Sequence, residues 1–260
     1  MAIIHTQEWV TLPPPGTSPW NYNQYANGNP SLHLNAGSPA GGNANRANFF
    51  SGTYATSQGG GRSMYSALPS NLQDYYFGHW ILWSSNWIWH PVGSKIDYSF
   101  QRNTANAAGN KDNFLIMVQP TGANPQGTLT FTQQLWNAPG TQNRSVGIPN
   151  FVNNTWYWLE FHATSNSMNG SSPNQDGLIE VWINDVLRLR ATNVVHSTTA
   201  NNWFGDTGHS PEYGGGAHTL PLDQYILFDH SVFSTTRIGI PGGTPIDTTP
   251  PATPTGLQVS

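Results

Sequence analysis

The chain lacks cysteine altogether and is poor in charge, and each absence narrows what the protein can be. Its 260 residues contain no cysteine, so neither a disulfide nor a thiolate metal site can stabilise the fold. Only 8% of the residues are charged, against roughly 25% in a typical soluble domain. Nine Lys and Arg against thirteen Asp and Glu give a net charge of −4. This balance argues against a nucleic-acid partner, which requires a basic surface.

Long apolar runs are missing as well. No run approaches the roughly 20 residues that a membrane-spanning helix needs. The first residues, Met1 to His5, show no apolar segment of the kind found in a secretory signal. No segment repeats apolar residues at the 3.6-residue spacing over a helical length. We therefore expect an all-β protein without a membrane span, and its length is sufficient to bury a sizeable core.

Aromatic residues are abundant instead. The sequence contains 11 Trp, 10 Tyr and 11 Phe, together with 27 Gly and 20 Pro. Most of these aromatic side chains are expected in the core. The remaining aromatic side chains would lie on a surface made polar by Asn, Gln, Ser and Thr. Such a surface suits neutral sugar rings, whose C–H faces stack on aromatic side chains.

Strand-like runs recur from residue 74 onward, separated by turns rich in Pro, Gly and Asn such as Pro120–Pro125. Many short strands at even spacing predict a two-sheet antiparallel β-sandwich. The glycine-rich segment Trp203–Gly216 is predicted to be a long loop between strands, which is either a mobile surface excursion or a loop that bears binding groups. The predicted strands are Tyr75–Ser84, Lys95–Arg102, Asn113–Gln119, Gly127–Leu135, Thr155–Ser165, Gly177–Asn184, Val186–Thr192 and Gln224–Ser234.

Composition divides the chain into three parts. Residues 1–50 are rich in Pro, Gly and Asn and are expected to pack on the sandwich, with a strand near Glu8–Leu12. Residues 51–242 form the sandwich domain. Residues 243–260 are rich in Pro and Thr, as in a semi-rigid linker, and resemble the opening of a fibronectin type III domain. We expect one module of a longer multidomain protein that lies outside the cell or on a virion surface.

Two stretches, Trp156–His162 and Gly177–Asp185, alternate between two kinds of residue. Alternate side chains of a strand share one face, so one face of each stretch is expected to be core. The other face combines tryptophan with carboxylate and imidazole groups, as surfaces that contact sugars do. The residues predicted on this second face are Trp158, Glu160, His162, Glu180 and Trp182.

Three stretches, in order along the chain, resemble the concanavalin A-like jelly rolls of the polysaccharide-lyase-like (heparin-lyase-like) group. They are His79–Trp87 with Lys95–Tyr98, Trp156–His162 with Asp176–Asp185, and Tyr225–Gly239. His230 and Val186 depart from the group's pattern, which has Asp and Gly there. The resemblance implies a two-sheet jelly roll with a concave face that binds polysaccharide. Some members of the group are lyases and others only bind.

The expected function is that of a non-catalytic, carbohydrate-binding module. Two alternatives stay open: a polysaccharide lyase that cleaves a uronate-containing glycan by β-elimination, and a purely structural domain. Trp87, Trp89 and His90 precede a proline and form either a stacking platform or a plug over the core. The predicted substrate-binding residues are Trp158, Glu160, His162, Glu180, Trp182, Trp87, Trp89, His90 and Trp203.

For the lyase alternative, the candidate catalytic residues are His162, Tyr157 and Lys95, which would supply a base and a cation. The Arg-x-Glu-x-Arg and Tyr-Phe-Lys-x-Gly-x-Tyr motifs of related alginate lyases are missing. Glu160 and Glu180 are either a catalytic carboxylate pair or structural groups that hold the sheet together.

Cofactors have little support in the sequence. The expectation is either no cofactor or a calcium ion bound by acidic side chains, as sandwich proteins sometimes have. The residues considered as calcium ligands are Asp206, Asp223 and Asp229.

Overall fold

The structure, a computed structural model, describes residues 3–7, 20–23, 31–33, 38–40, 44–49, 63–69, 71–102, 112–121, 124–135, 141–148, 150–214 and 219–241. These residues form seventeen β-strands and no α-helix. The strands are β1 Ile3–Gln7, β2 Trp20–Asn23, β3 Ser31–His33, β4 Ala44–Phe49, β5 Ser63–Ala67, β6 Asp74–Trp83, β7 Ser94–Arg102, β8 Asn113–Thr121, β9 Asn124–Gln134, β10 Thr141–Gly147, β11 Tyr157–Thr164, β12 Met168–Asn169, β13 Ser172–Pro173, β14 Gly177–Ile183, β15 Val186–Val194, β16 Trp203–Glu212 and β17 Gln224–Ser234.

The strands pair antiparallel into two large sheets. Sheet A has eight strands, in the order β15-β14-β11-β6-β17-β4-β3, with β1 also paired to β17. Sheet B has seven strands, in the order β10-β9-β8-β7-β16-β5-β2. Strands β12 and β13 form a separate ribbon. The chain crosses between the sheets repeatedly, which confirms the predicted two-sheet jelly-roll β-sandwich.

The core lies between the two sheets and is built from every second residue of the central strands. In β6, Phe77 stacks on Phe233 of β17 with the ring centroids 4.5 Å apart. Burial of such large apolar side chains is the main stabilising contribution to a fold without disulfides. The inward residues of four central strands are Tyr75, Phe77, Ile81, Trp83, Leu159, Phe161, Ala163, Phe114, Ile116, Val118, Leu129 and Phe131.

All eight predicted strands are confirmed, as β6, β7, β8, β9, β11, β14, β15 and β17. Their bounds differ from the prediction by at most three residues, at the start of β9 (124 observed, 127 predicted). Strand β10 is polar and lies at the edge of sheet B, and its sequence carries no apolar alternation that would have predicted it.

The prediction of a long loop at Trp203–Gly216 is wrong. Residues 203–212 are β16, which lies between β7 and β5 in sheet B. Its inward positions include Phe204, Thr207 and His209. Glycines and polar residues replace the apolar alternation in this strand, and register shifts against β7 break its two-residue period.

The β14–β15 hairpin closes through Asn184 and Asp185, both with positive φ (50° and 64°). Two successive positive φ values are typical of a type I′ turn, which Asn and Asp tolerate. Asn184 Oδ1 also accepts the backbone N–H of Trp158 at 2.8 Å. The turn therefore needs no glycine at Val186, where the resembled group has one.

Strands β1 to β4 come from residues 1–50 and pair into both sheets, β4 with β17 and β2 with β5. The predicted strand near Glu8–Leu12 and residues 243–260, with the proposed linker, lie outside the described residues. The division into domains therefore stays a prediction. No helix among the described residues is long and apolar enough to cross a membrane.

Gly78 on β6 provides a test of packing on the outer face of sheet A. A Cβ atom at this position would overlap the indole of Trp158 and lie 3.2 Å from Cδ1 of Ile238. Trp158 is fully buried and cannot move aside. We expect Gly78→Ala to lower the free energy of unfolding by about 1–3 kcal/mol, measured by urea titration. Gly147→Ala is the matched control, because its nearest neighbour is 3.9 Å away. Equal stability of the two variants would contradict this packing.

His196 predicts a loss of stability in acid. Complete burial lowers its pKa to about 4, from an ordinary value of 6.5. The unfolded chain therefore binds a proton near pH 6.5, whereas the folded chain does so only near pH 4. The free energy of unfolding should fall by about 3 kcal/mol as the pH drops through this window. Urea titrations at several pH values check this, and in His196→Phe the slope should be shallower. An unchanged slope would show that other groups control acid unfolding.

Candidate functional site

The predicted sugar-contacting residues lie on the outer face of sheet A. Strands β11 and β14 are neighbours, with His162 opposite Glu180 and Glu160 opposite Trp182. Both carboxylates thus belong to adjacent strands, but each faces an aromatic residue and not the other carboxylate. The two glutamates have separate partners, described next.

A C-terminal strap, residues 235–241, closes the centre of this face. Glu160 accepts the backbone N–H of Ile238 at 2.8 Å and of Gly239 at 3.0 Å. Ile238 and Ile240 pack against a cluster that contains Trp158, which is fully buried, as is Glu160. Burial raises the pKa of Glu160 more than these hydrogen bonds lower it. Trp158 and Glu160 therefore offer no accessible surface in this structure, and their assignment to sugar binding stays a prediction.

Beside the strap, His162 is held between two carboxylates. Its Nε2 lies 3.1 Å from Asp74 Oδ2 and its Nδ1 lies 3.0 Å from Glu180 Oε2. The ring stacks on Tyr76 at 4.0 Å, and Arg190 Nε lies 3.3 Å from Glu180 Oε1. Burial lowers the pKa of His162, but the hydrogen bonds and charges of both carboxylates raise it by more. His162 is thus a donor to two carboxylates, which occupy both of its ring nitrogens.

The other predicted aromatic residues belong to the end of the core. Trp87 packs edge-on against Phe49 at 5.3 Å, and Trp89 stacks on Phe151 at 6.1 Å. His90 is fully buried against Tyr213. These contacts correspond to the plug over the core. Of the remaining predicted binding residues, Trp182 is buried beneath Arg237 at 4.8 Å, and Trp203 is half-buried in β16.

A β-bulge on β7 creates a different candidate site on the outer face of sheet B. In a regular strand Lys95 and Tyr98 would point to opposite faces. The register of β7 shifts between Lys95 and Asp97, and both Ile96 and Asp97 are fully buried on the inner side. Two successive inward residues leave Lys95 and Tyr98 on the same outer face.

We call Lys95, Tyr98, Phe100 and Glu212 the sheet B site. Lys95 Nζ lies 2.5 Å from Oε2 of Glu212, the residue opposite it on β16, and 5.7 Å from the centroid of Tyr98. Phe100 stacks on Tyr98 at 5.9 Å. About a quarter of the Lys95 and Glu212 side chains is exposed (24% and 23%), so both are accessible to a ligand.

The charge of Lys95 is stabilised in this position. Burial lowers the pKa of Lys95, but the charges of Glu212 and Tyr98 and hydrogen bonds to both raise it by more. Lys95 is therefore an ammonium ion at neutral pH and cannot act as a base. It can neutralise an anionic ligand group.

Polar side chains continue across the outer face from the sheet B site toward β10. Thr130 Oγ1 donates to Gln119 Oε1 at 2.9 Å and lies 3.0 Å from Ser145 Oγ. These groups lie on three neighbouring strands, β8, β9 and β10. Thr130 is buried, whereas Gln119 and Ser145 stay accessible beside the Lys95–Glu212 ion pair.

The structure does not bring the three candidate lyase residues together. His162 lies on the outer face of sheet A and Lys95 on the outer face of sheet B, with the core between them. Tyr157 lies at the core, where its hydroxyl accepts the backbone N–H of Val152 at 2.8 Å. Residue chemistry alone groups them, and it also admits Tyr98 among the lyase candidates. The bulge is what shows that Tyr98 shares a face with Lys95.

The three aspartates considered for calcium are also apart. Asp206 is on β16 of sheet B, Asp229 is buried on β17 of sheet A, and Asp223 is exposed in the turn before β17. They do not form one ligand set, and calcium binding stays a prediction.

One group of potential metal ligands does lie together, between the sheets. His79 Nε2 is 2.9 Å from Asp97 Oδ2, and His209 Nδ1 is 3.0 Å from Asp97 Oδ1. All three side chains are fully buried. Burial raises the pKa of Asp97, but the charge of His79 and hydrogen bonds from both histidines lower it by more. Their sequence separation, 18 and 112 residues from Asp97, left no motif that could have predicted this cluster.

No protein-family model matches the sequence, and no curated protein matches it. Several solved structures share its fold. A marine PL-14 alginate lyase from Aplysia kurodai has a TM-score of 0.67 and 16% identity, over 91% of this chain and 100% of that one. An endo-β-1,4-glucuronan lyase from the fungus Trichoderma reesei has a TM-score of 0.61 and 14% identity, over 90% and 96%. An alginate lyase from a Chlorella virus has a TM-score of 0.57 and 16% identity, over 83% and 93%.

Identities this low show the fold alone. The chain has the jelly-roll β-sandwich of these polysaccharide lyases, which confirms the fold that the sequence motifs implied.

Glu160 provides a test of how the strap is held. Gln at this position keeps one acceptor oxygen but places an NH₂ group against a backbone N–H of the strap. We expect Glu160→Gln to speed hydrogen exchange at the amides of Ile238 and Gly239 by about tenfold, the equivalent of one lost charge-assisted hydrogen bond. Glu180→Gln is the control, since Glu180 contacts His162 and Arg190 instead. Unchanged exchange at both amides would show that Ile238 and Ile240 anchor the strap without Glu160.

Proposed function

We propose that the protein is a polysaccharide lyase that cleaves a uronate-containing glycan by β-elimination at the sheet B site. The observation that carries the proposal is the pairing of the Lys95 ammonium with the Tyr98 phenol on a partly exposed face. Support comes from the solved structures with this fold, which are lyases of alginate and of glucuronan. They favour this activity over the non-catalytic module that the sequence first indicated.

β-Elimination needs few groups from the protein. A base removes the proton from C5 of the uronate, the carbon next to the carboxylate. The electron pair forms the C4–C5 double bond, the bond from C4 to the glycosidic oxygen breaks, and that oxygen takes up a proton. No water is consumed, and the product carries an unsaturated uronate at its new end. The barrier falls when a cation stabilises the charge that develops on the carboxylate.

Lys95 and Tyr98 fit these two requirements. The Lys95 ammonium has three N–H donors, of which Glu212 and Tyr98 engage two, so one can bind the substrate carboxylate. The Tyr98 hydroxyl, close to this cation, is the candidate for moving the proton from C5 to the leaving oxygen. Phe100, stacked on Tyr98, extends an aromatic surface on which an adjacent sugar ring can rest.

The outer face of sheet A is less suitable for this reaction. Asp74 and Glu180 flank His162 on both sides, and their charges oppose a uronate carboxylate. Both ring nitrogens of His162 are already engaged, so the ring has no free lone pair for a C–H proton. The strap covers the central part of this face.

The test is a panel of alginate, glucuronan and polygalacturonate, with a neutral glucan as blank, followed by the ultraviolet absorbance of the unsaturated product. We expect turnover of at least one uronate polymer. Lys95→Ala and Tyr98→Phe should each lower kcat/KM by about a hundredfold or more, because one removes the charge and the other the proton-transfer group.

Matched controls are available on the opposite sheet. Arg190→Ala and Tyr76→Phe remove a cation and a phenol from the outer face of sheet A, and both should retain wild-type activity. If no uronate polymer yields the product, but an affinity gel retains the protein until Tyr98 is replaced by Ala, the site binds without catalysis. Full activity in Lys95→Ala would contradict the proposed site even if the protein is a lyase.

A further inference from the structure

The buried cluster of His79, Asp97 and His209 plays no part in the proposed reaction. It lies inside the sandwich, where β6 of sheet A meets β7 and β16 of sheet B. An ionised carboxylate in such a place needs hydrogen bonds and a positive partner, because the apolar surroundings do not solvate its charge. His79 and His209 lie against its two oxygens.

His79 has an oxygen atom near each of its ring nitrogens. Its Nδ1 lies 3.4 Å from the backbone oxygen of Trp80, and its Nε2 lies 2.9 Å from Asp97 Oδ2. Either nitrogen can carry the proton of a neutral imidazole. With the proton on Nδ1, toward the carbonyl oxygen, the lone pair of Nε2 is directed at the Asp97 side and is available to a metal ion.

His209, on sheet B, contacts the second oxygen of Asp97. Its Nδ1 faces Asp97 Oδ1 at 3.0 Å, and its Nε2 lies 2.8 Å from Ser231 Oγ, which can accept a hydrogen bond. An outer acceptor behind each imidazole is the feature that fixes the ring and the tautomer of a metal-ligating histidine.

The donor set suits zinc. The ligand atoms of the three side chains all lie within 4.8 Å of one another. Two imidazole nitrogens and one carboxylate are ligand types that zinc takes, and the second carboxylate oxygen can complete the set. All three side chains are fully buried, which leaves no open position for a water or substrate.

We propose that His79, Asp97 and His209 form a structural zinc site that joins the two sheets. The ion would link β6 to β7 and β16 through the interior of a chain that has no disulfide. Because the site is closed, the metal enters during folding, and its removal requires unfolding.

The first experiment measures the metal content of the untagged full chain, purified without chelator, by mass spectrometry of the elements. We expect about one zinc per chain in the wild type and in His162→Gln, which removes the histidine between Asp74 and Glu180. We expect its loss in His209→Gln. Wild-type protein with no bound metal would overturn the proposal, as would zinc that disappears in His162→Gln.

The second experiment keeps the test decisive if His209→Gln does not fold. The wild type is unfolded in guanidinium and refolded with EDTA, with zinc or with cobalt. We expect a higher Tm with zinc than with EDTA, and with cobalt the visible absorption of a four-coordinate ion. Equal Tm in the zinc and EDTA samples, with no cobalt absorption, would overturn the proposal and leave Asp97 held by hydrogen bonds from the two histidines. If no sample refolds, the metal content of the purified wild type decides.

Discussion

The bulge on β7 is the constraint on which both the interior and the sheet B site depend. Placing Ile96 and Asp97 on the same side of the strand puts an apolar group and a carboxylate into the core. The carboxylate then joins His79 of the opposite sheet to His209 of the neighbouring strand. The same local shift returns Lys95 and Tyr98 to one outer face. A regular strand would separate these two residues and disconnect the buried cluster.

The outer faces of the two sheets differ in what their glutamates bind. On sheet A, Glu160 uses both carboxylate oxygens to bind the strap, so a group that could contact sugar instead fixes residues 238 and 239. On sheet B, Glu212 binds the Lys95 ammonium and stays partly exposed. A substrate carboxylate can compete for that ammonium, whereas it cannot replace the two backbone amides at Glu160 without displacing the strap.

Most of the fold could be predicted from the sequence, and less of the site. Strands such as β11 and β17 either alternate apolar and polar residues or contain a run of apolar residues. This local pattern is sufficient to predict them as strands. Strand β16 was read as a loop because its inward positions include Thr207 and His209, whose burial depends on partners 22 to 132 residues away. The sequence predicts a site around Trp158 and His162, because tryptophan beside carboxylate and imidazole groups is typical of a sugar-binding surface. Only the strap, which no local pattern links to β11, shows that the fold itself uses these groups.

Because the chain has few charged residues, each cation on its surface contributes a large share of the attraction for an anionic ligand. In a chain with nine Lys and Arg, a partly exposed cation paired with Glu212 has few competitors for an anionic ligand. The neighbouring Gln119, Thr130 and Ser145 add hydrogen bonds without adding charge. Under the proposed function, such a surface would distinguish a glycan by where its carboxylate falls relative to neutral rings, and not by the total charge of the polymer. Recognition by position would also place C5 of one particular uronate beside Tyr98, which is the condition that β-elimination requires.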